Sequence, residues 1–143
     1  MIATESSTSV SDRTETIRHH DKTLCIVVRG SPAPKATTFY TPNDFNLQVG
    51  NIVYPAGDEI PRHSHRQVER NVSGTSEVLI VQQGRMIVDL YADDRKLVCS
   101  REVVPGDVLV LVSGGHGFRL IEDTVLLEVK QGPYSGIQEK DRF

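Results

Sequence analysis

From Thr23 onward the chain alternates short, β-branched apolar runs with clusters of Gly, Pro, Asn and Asp. The runs TLCIVVR, LQVGNIVY, EVLIVQQ, RMIVDLYA, KLVCSREVV, DVLVLV, GFRLIE and TVLLEVK are each six to nine residues long. Between them stand PAGD, QQGR, ADDR, PGD, SGGHG and EDT, all turn-forming. That spacing predicts strands joined by tight turns. No window of eleven or more residues carries a capped helical stripe, although RQVERNV has room for one turn. The expected class is therefore all-β, antiparallel, a sandwich or barrel with little helix. EVLIVQQ and DVLVLV are apolar on both faces. One face should turn inward and the other should meet a second sheet or a partner subunit, which leads us to expect a homodimer.

At 143 residues the chain has room for one domain with a real core. Residues 1–16 are rich in Ser, Thr and acids and almost devoid of large apolar groups, so they read as a flexible tail ahead of a domain spanning 17–143. The same segment has no apolar run and no basic start, so a signal peptide is not expected. No run of eighteen apolar residues occurs, and no membrane span is expected. Sixteen basic residues against nineteen acidic ones give a net charge of −3, with the two signs interleaved. Without a basic stripe, a nucleic-acid partner is not expected. Cys25 and Cys99 stand singly in apolar runs and read as small buried hydrophobes in a reducing, cytoplasmic compartment.

The candidate chemistry lies in PRHSHRQVERNVSGTSE, Pro61 to Glu77. In a strand, residues i and i+2 point to one side, so His63 and His65 can deliver two imidazoles into one cavity. Neutral imidazoles are good ligands for divalent transition metals. Further on, His116 in SGGHGF should share a strand face with Phe118 and Leu120, both expected inside, while Gly117 and Arg119 face the other way. Arg85 is likewise expected outside. His19 and His20 precede the apolar runs in a polar stretch and read as exposed. Tyr40, Tyr54, Tyr91 and Tyr134 are candidates to line a pocket or simply to pack.

Taken together, Gly57–x5–His63–x–His65, Glu77–x6–Gly84 and Gly106–x5–Val112 leading through SGG to His116 resemble the two signature motifs of the cupins, small jelly-roll β-barrels. The resemblance covers roughly residues 45–130, and the tail EVKQGPYSGIQEKDRF is similar to the ending of small single-domain cupins. It implies a jelly-roll barrel with one divalent metal held by His63, His65, Glu77 and His116. Two departures stand out. Glu69 meets the usual short spacing after the second histidine, but the position seven residues on is Ser76 rather than Gly; Glu77 meets the downstream half of the motif, with eleven residues between it and His65. Glu77 opens a strand, a rigid place for a ligand, whereas Glu69 sits in a polar hairpin loop, so Glu77 is the preferred carboxylate. The second motif is one residue short before His116, which the Gly114–Gly115 pair can absorb.

Three histidines and one glutamate leave open positions on a six-coordinate ion, so it can meet water, dioxygen or a small polar substrate. The resemblance implies Fe(II), Mn(II), Ni(II), Co(II) or Zn(II), and dioxygenase or isomerase chemistry. No dedicated base is visible beyond Glu69 and Tyr91. Imidazoles must be neutral to ligate, so occupancy should fall as pH drops towards about 5. Two other readings remain open: a non-catalytic metal- or ligand-binding sensor barrel, and a metal-free sugar-nucleotide epimerase with a histidine base and tyrosine acid. The paired imidazoles count against the last.

Overall fold

The computed structural model describes residues 6–11, 13–136 and 139–143. Apolar alternation and β-branching build eleven strands: β1 Ser6–Val10, β2 Thr14–His19, β3 Lys22–Val28, β4 Thr38–Phe39, β5 Gly50–Asn51, β6 Glu77–Gln83, β7 Met86–Tyr91, β8 Leu97–Val103, β9 Val108–Leu111, β10 Gly115–Leu120 and β11 Val125–Lys130. No α-helix occurs among the described residues, and none therefore is long and apolar enough to cross a membrane. The chain is all-β and every strand pairing is antiparallel.

Two sheets face one another. One has the order β1-β2-β3-β9-β6-β11, the other β10-β7-β8, and β4-β5 form a small ribbon. Period-two alternation decides what lies between the sheets. Cys25, Val27, Leu79, Val81, Leu109 and Leu111 point from the larger sheet towards Met86, Val88, Leu90 and Val103 of the smaller one. The neighbouring residues Ile26, Val28, Val78 and Val110 point to the opposite face, where Tyr40, Phe45, Leu47 and Val49 cover them. The doubly apolar runs thus find their second cover in this chain's own residues 40–49, rather than in a second sheet.

Two elements differ from the sequence expectation. Ser6–Val10 and Thr14–Thr16 fall in the stretch read as a tail, yet they form a hairpin at the sheet's edge. β1 is exposed along its whole length, so its backbone ladder holds it rather than burial, and composition carries no trace of that. Ile17, fully buried in β2, anchors the hairpin. The run LQVGNIVY shrinks to Gly50–Asn51, and RQVERNV forms no helical turn.

The two long sides of the sandwich are finished differently. On the β2–β8 side, Glu15 accepts from Arg101 Nε at 2.7 Å and from Arg29 Nη2 at 2.9 Å. Arg29 also donates to Asp107 Oδ2 at 3.0 Å, so charge pairs stitch the two sheets together there. On the other side, β10 and β11 are both terminal strands of their sheets.

Candidate functional site

The edge between β10 and β11 holds the candidate site. Glu77 opens β6 on the inward-facing parity of Leu79 and Val81, and it is buried. His116 projects from β10 on the parity of Phe118, whose ring packs against the core and lies 5.4 Å from the imidazole. Glu77 Oε2 and His116 Nε2 are 3.2 Å apart. Burial pushes the His116 imidazole below its ordinary value, against the opposing pull of the Glu77 carboxylate; Lys140 lowers it further and Glu128 raises it. The downward shift favours the neutral ring, the state that both ligation and proton acceptance require.

These two side chains open into a cavity of about 600 Å³, lined also by Tyr91, Lys130, Ser113 and the segment Glu139–Phe143. Lys130 stands directly opposite Glu77 in the β11–β6 register. Phe143 stacks edge-on against Tyr91, 5.2 Å between centroids, beneath the Arg95 guanidinium. Sequence reading did not find Lys130 or Phe143. Inward alternation along TVLLEVK, with Leu126 on the core face, carries the signal for Lys130; nothing local marks Phe143.

His63 and His65 lie elsewhere. Their rings meet edge-on with centroids 5.3 Å apart, so the i, i+2 spacing does put both imidazoles on one side of the chain. They belong to a stretch without regular structure in which every residue from Tyr54 to Thr75 is exposed. His63 Nδ1 contacts the Pro61 carbonyl oxygen at 2.9 Å. Glu69 is exposed in the same stretch. Among the described residues, no group of three or more His, Cys, Asp or Glu side chains is close enough to hold a metal ion.

The donor set can be tested by its spacing. Two ligand atoms about 2.0–2.2 Å from a shared ion, at angles between a right angle and the tetrahedral one, lie roughly 2.8–3.6 Å from each other. The Glu77–His116 separation of 3.2 Å falls in that range, and a carboxylate beside a neutral imidazole suits a divalent transition metal. This pair fits as half of a ligand set. The His63–His65 pair does not join it.

The remaining candidates take structural places. Leu120, expected inside, is exposed: it lies opposite the buried Met86, but on the terminal strand of the smaller sheet. Arg119 does face outward and clamps Asp89 through two hydrogen bonds of 2.7 and 2.8 Å. Arg85 lies at the surface near Glu102 and Glu122. His20 is exposed, and His19 is half-buried with Nδ1 3.0 Å from Ser6 Oγ. Tyr40 packs on the outer face of the large sheet, while Tyr54 and Tyr134 are exposed. Cys25 is buried, with its thiol pushed up to about 12, and Cys99 is half-buried; both are free.

No family model, curated protein or solved structure matches the chain.

Proposed function

We propose that this protein is a cupin-type, jelly-roll metalloprotein that binds one divalent transition metal through His63, His65, Glu77 and His116 and acts on a small polar molecule in the adjoining cavity. The observation that carries this reading is the inward-facing Glu77–His116 pair, 3.2 Å apart at the wall of that cavity. When bound, the metal supplies Lewis-acid or dioxygen chemistry. The chain's own part is to hold a neutral imidazole beside a carboxylate, to offer Lys130 and Lys140 to an anionic group, and to shelter the site beneath the aromatic pair of Tyr91 and Phe143.

Anaerobically purified protein, loaded in turn with Fe(II), Mn(II), Ni(II), Co(II) and Zn(II), should consume oxygen or isomerise substrate with at least one member of a panel of keto acids, thiols and sugars. Turnover should disappear in His116→Ala. Stoichiometric metal with no turnover on any of these compounds favours the binding or sensor reading instead. A metal-free acid–base reading rests on Tyr91 lining the same cavity as the Glu77-backed His116; full activity in chelator-treated protein would select it.

A further inference from the structure

One part of the cavity wall is fastened unlike the rest. Residues 139–143 line the cavity beside Glu77 and His116, and all five are exposed. Among the described residues, no hydrogen bond or ion pair joins this segment to the body of the chain. What fixes it is the ring of Phe143. That ring meets Tyr91 edge-on, 5.2 Å between centroids and 89° between planes, and the Arg95 guanidinium carbon lies 5.1 Å from its centroid.

The seat under the ring is fitted to it. A Cβ on Gly115 would stand 2.7 Å from Phe143 Cζ and 3.1 Å from Cε1, so only a residue without a side chain leaves room there. Arg95 reaches the ring from the β7–β8 turn, where it holds φ +68°, a left-handed conformation that few non-glycine residues adopt. Gly115 and His116 are neighbours on β10 and face opposite sides of the strand. Phe143 sits over the first, while Lys140 is close enough for its charge to act on the second. The segment therefore passes over the edge of β10 that pairs with no strand, across the mouth of the cavity. Deeper in that cavity lies Leu111, a core residue only 5 % exposed.

We propose that residues 139–143 are a gate on this cavity, latched by the Phe143 ring in its seat of Gly115, Tyr91 and Arg95, and that release of this one ring opens the route to the inner wall. Elements that move are drawn from the weakly held parts of a fold, those with few buried contacts. This segment has one ring contact to break, whereas the wall it covers, with Leu111 and Phe118, is part of the core. An edge-on aromatic pair and a cation over a ring are each modest interactions. Together they hold the segment down for most of the time and still let it lift. The gate belongs to the cavity and stands whether or not a metal binds there.

A thiol on the inner wall reads the gate directly. In full-length protein freed of its own thiols by Cys25→Ala and Cys99→Ala, Leu111→Cys puts one thiol at that wall, and its labelling by dithionitrobenzoate is timed. Phe143→Ala should speed the labelling about ten-fold, the scale of losing both contacts to the ring. Gly115→Val should do the same, because its side chain fills the seat while Phe143 stays in the sequence. Cys25, fully buried in the core, is the control for opening of the whole fold. In protein carrying only Cys99→Ala it should label at one slow rate with or without either change. If Leu111→Cys does not fold, Lys130→Cys, half-buried on the cavity wall, replaces it. Labelling at the wall that stays within about two-fold in both variants, or that rises only in step with Cys25, overturns the gate.

Discussion

Asp89 shows how a single residue can be placed by charge. It lies on the outer face of the three-stranded sheet, where Arg119 Nε and Nη2 donate to its carboxylate and the Ser100 hydroxyl donates a further short hydrogen bond at 2.5 Å. The Arg119 hydrogen bonds, then that of Ser100, hold its carboxyl at about 2, below the ordinary 3.8. A carboxylate depressed by folding stabilises the native state above its unfolded value and loses that contribution as pH falls through the folded one. Asp89→Asn should therefore be less stable than wild type at pH 6, with the gap closing between about pH 4 and pH 2; urea midpoints across that range check it. At the proposed metal site, Glu77→Gln should weaken metal binding about ten-fold or more, the scale seen even for residues that only support a ligand. Glu69→Gln should leave binding unchanged in an equilibrium metal titration. Glu77 was legible because EVLIVQQ is unmistakably a strand with its first residue on the inward parity. His116 was legible for the same reason, through Phe118 two residues on.

At the scale of elements, turns carry much of the specificity. Gly84 closes the β6–β7 turn at φ +86°, and a Cβ there would run into the Asp123 carbonyl and Thr124. The glycine of the motif is thus required by backbone conformation and by close approach. Asp107 fixes the turn before β9. Its Oδ1 accepts from Gly30 N at 2.9 Å, and its Oδ2 accepts from Val104 N and Arg29 Nη1, each at 3.0 Å. Asp107→Ala leaves these donors without their acceptor and should cost about 2–3 kcal/mol, read as a lower urea midpoint with an unchanged slope; Asp107→Asn should cost less. Seven of the eight apolar runs appear as strands close to their expected bounds, because burial and local propensity agree there. LQVGNIVY is the exception. Leu47 and Val49 turn onto the outer face of the large sheet instead of entering a ladder, and no local pattern separates those two uses of an apolar residue. The exposed β1 hairpin escaped notice because its ladder leaves no mark in hydrophobicity.

For the molecule as a whole, the two-sheet, antiparallel class followed from strand number and turn spacing, while the order of strands came from long-range pairing that no window of sequence contains. The site divided along the same line. Glu77 and His116 stand on rigid strands and meet across the core edge. His63 and His65 stand on an exposed stretch without regular structure, so spacing gave their mutual geometry and not their location. The charge pairs of Glu15, Arg29, Arg101 and Asp107 finish one side of the sandwich, while β10 and β11 end their sheets on the other. Both histidine-bearing segments are proposed to serve one metal ion with Glu77. That shared role is tested most directly by the metal content of anaerobically purified protein, wild type beside His63→Ala. Close to one divalent transition-metal ion per chain is expected in the wild type, with loss of most of it in the variant. Wild type without stoichiometric metal, or His63→Ala with its metal intact, would contradict it.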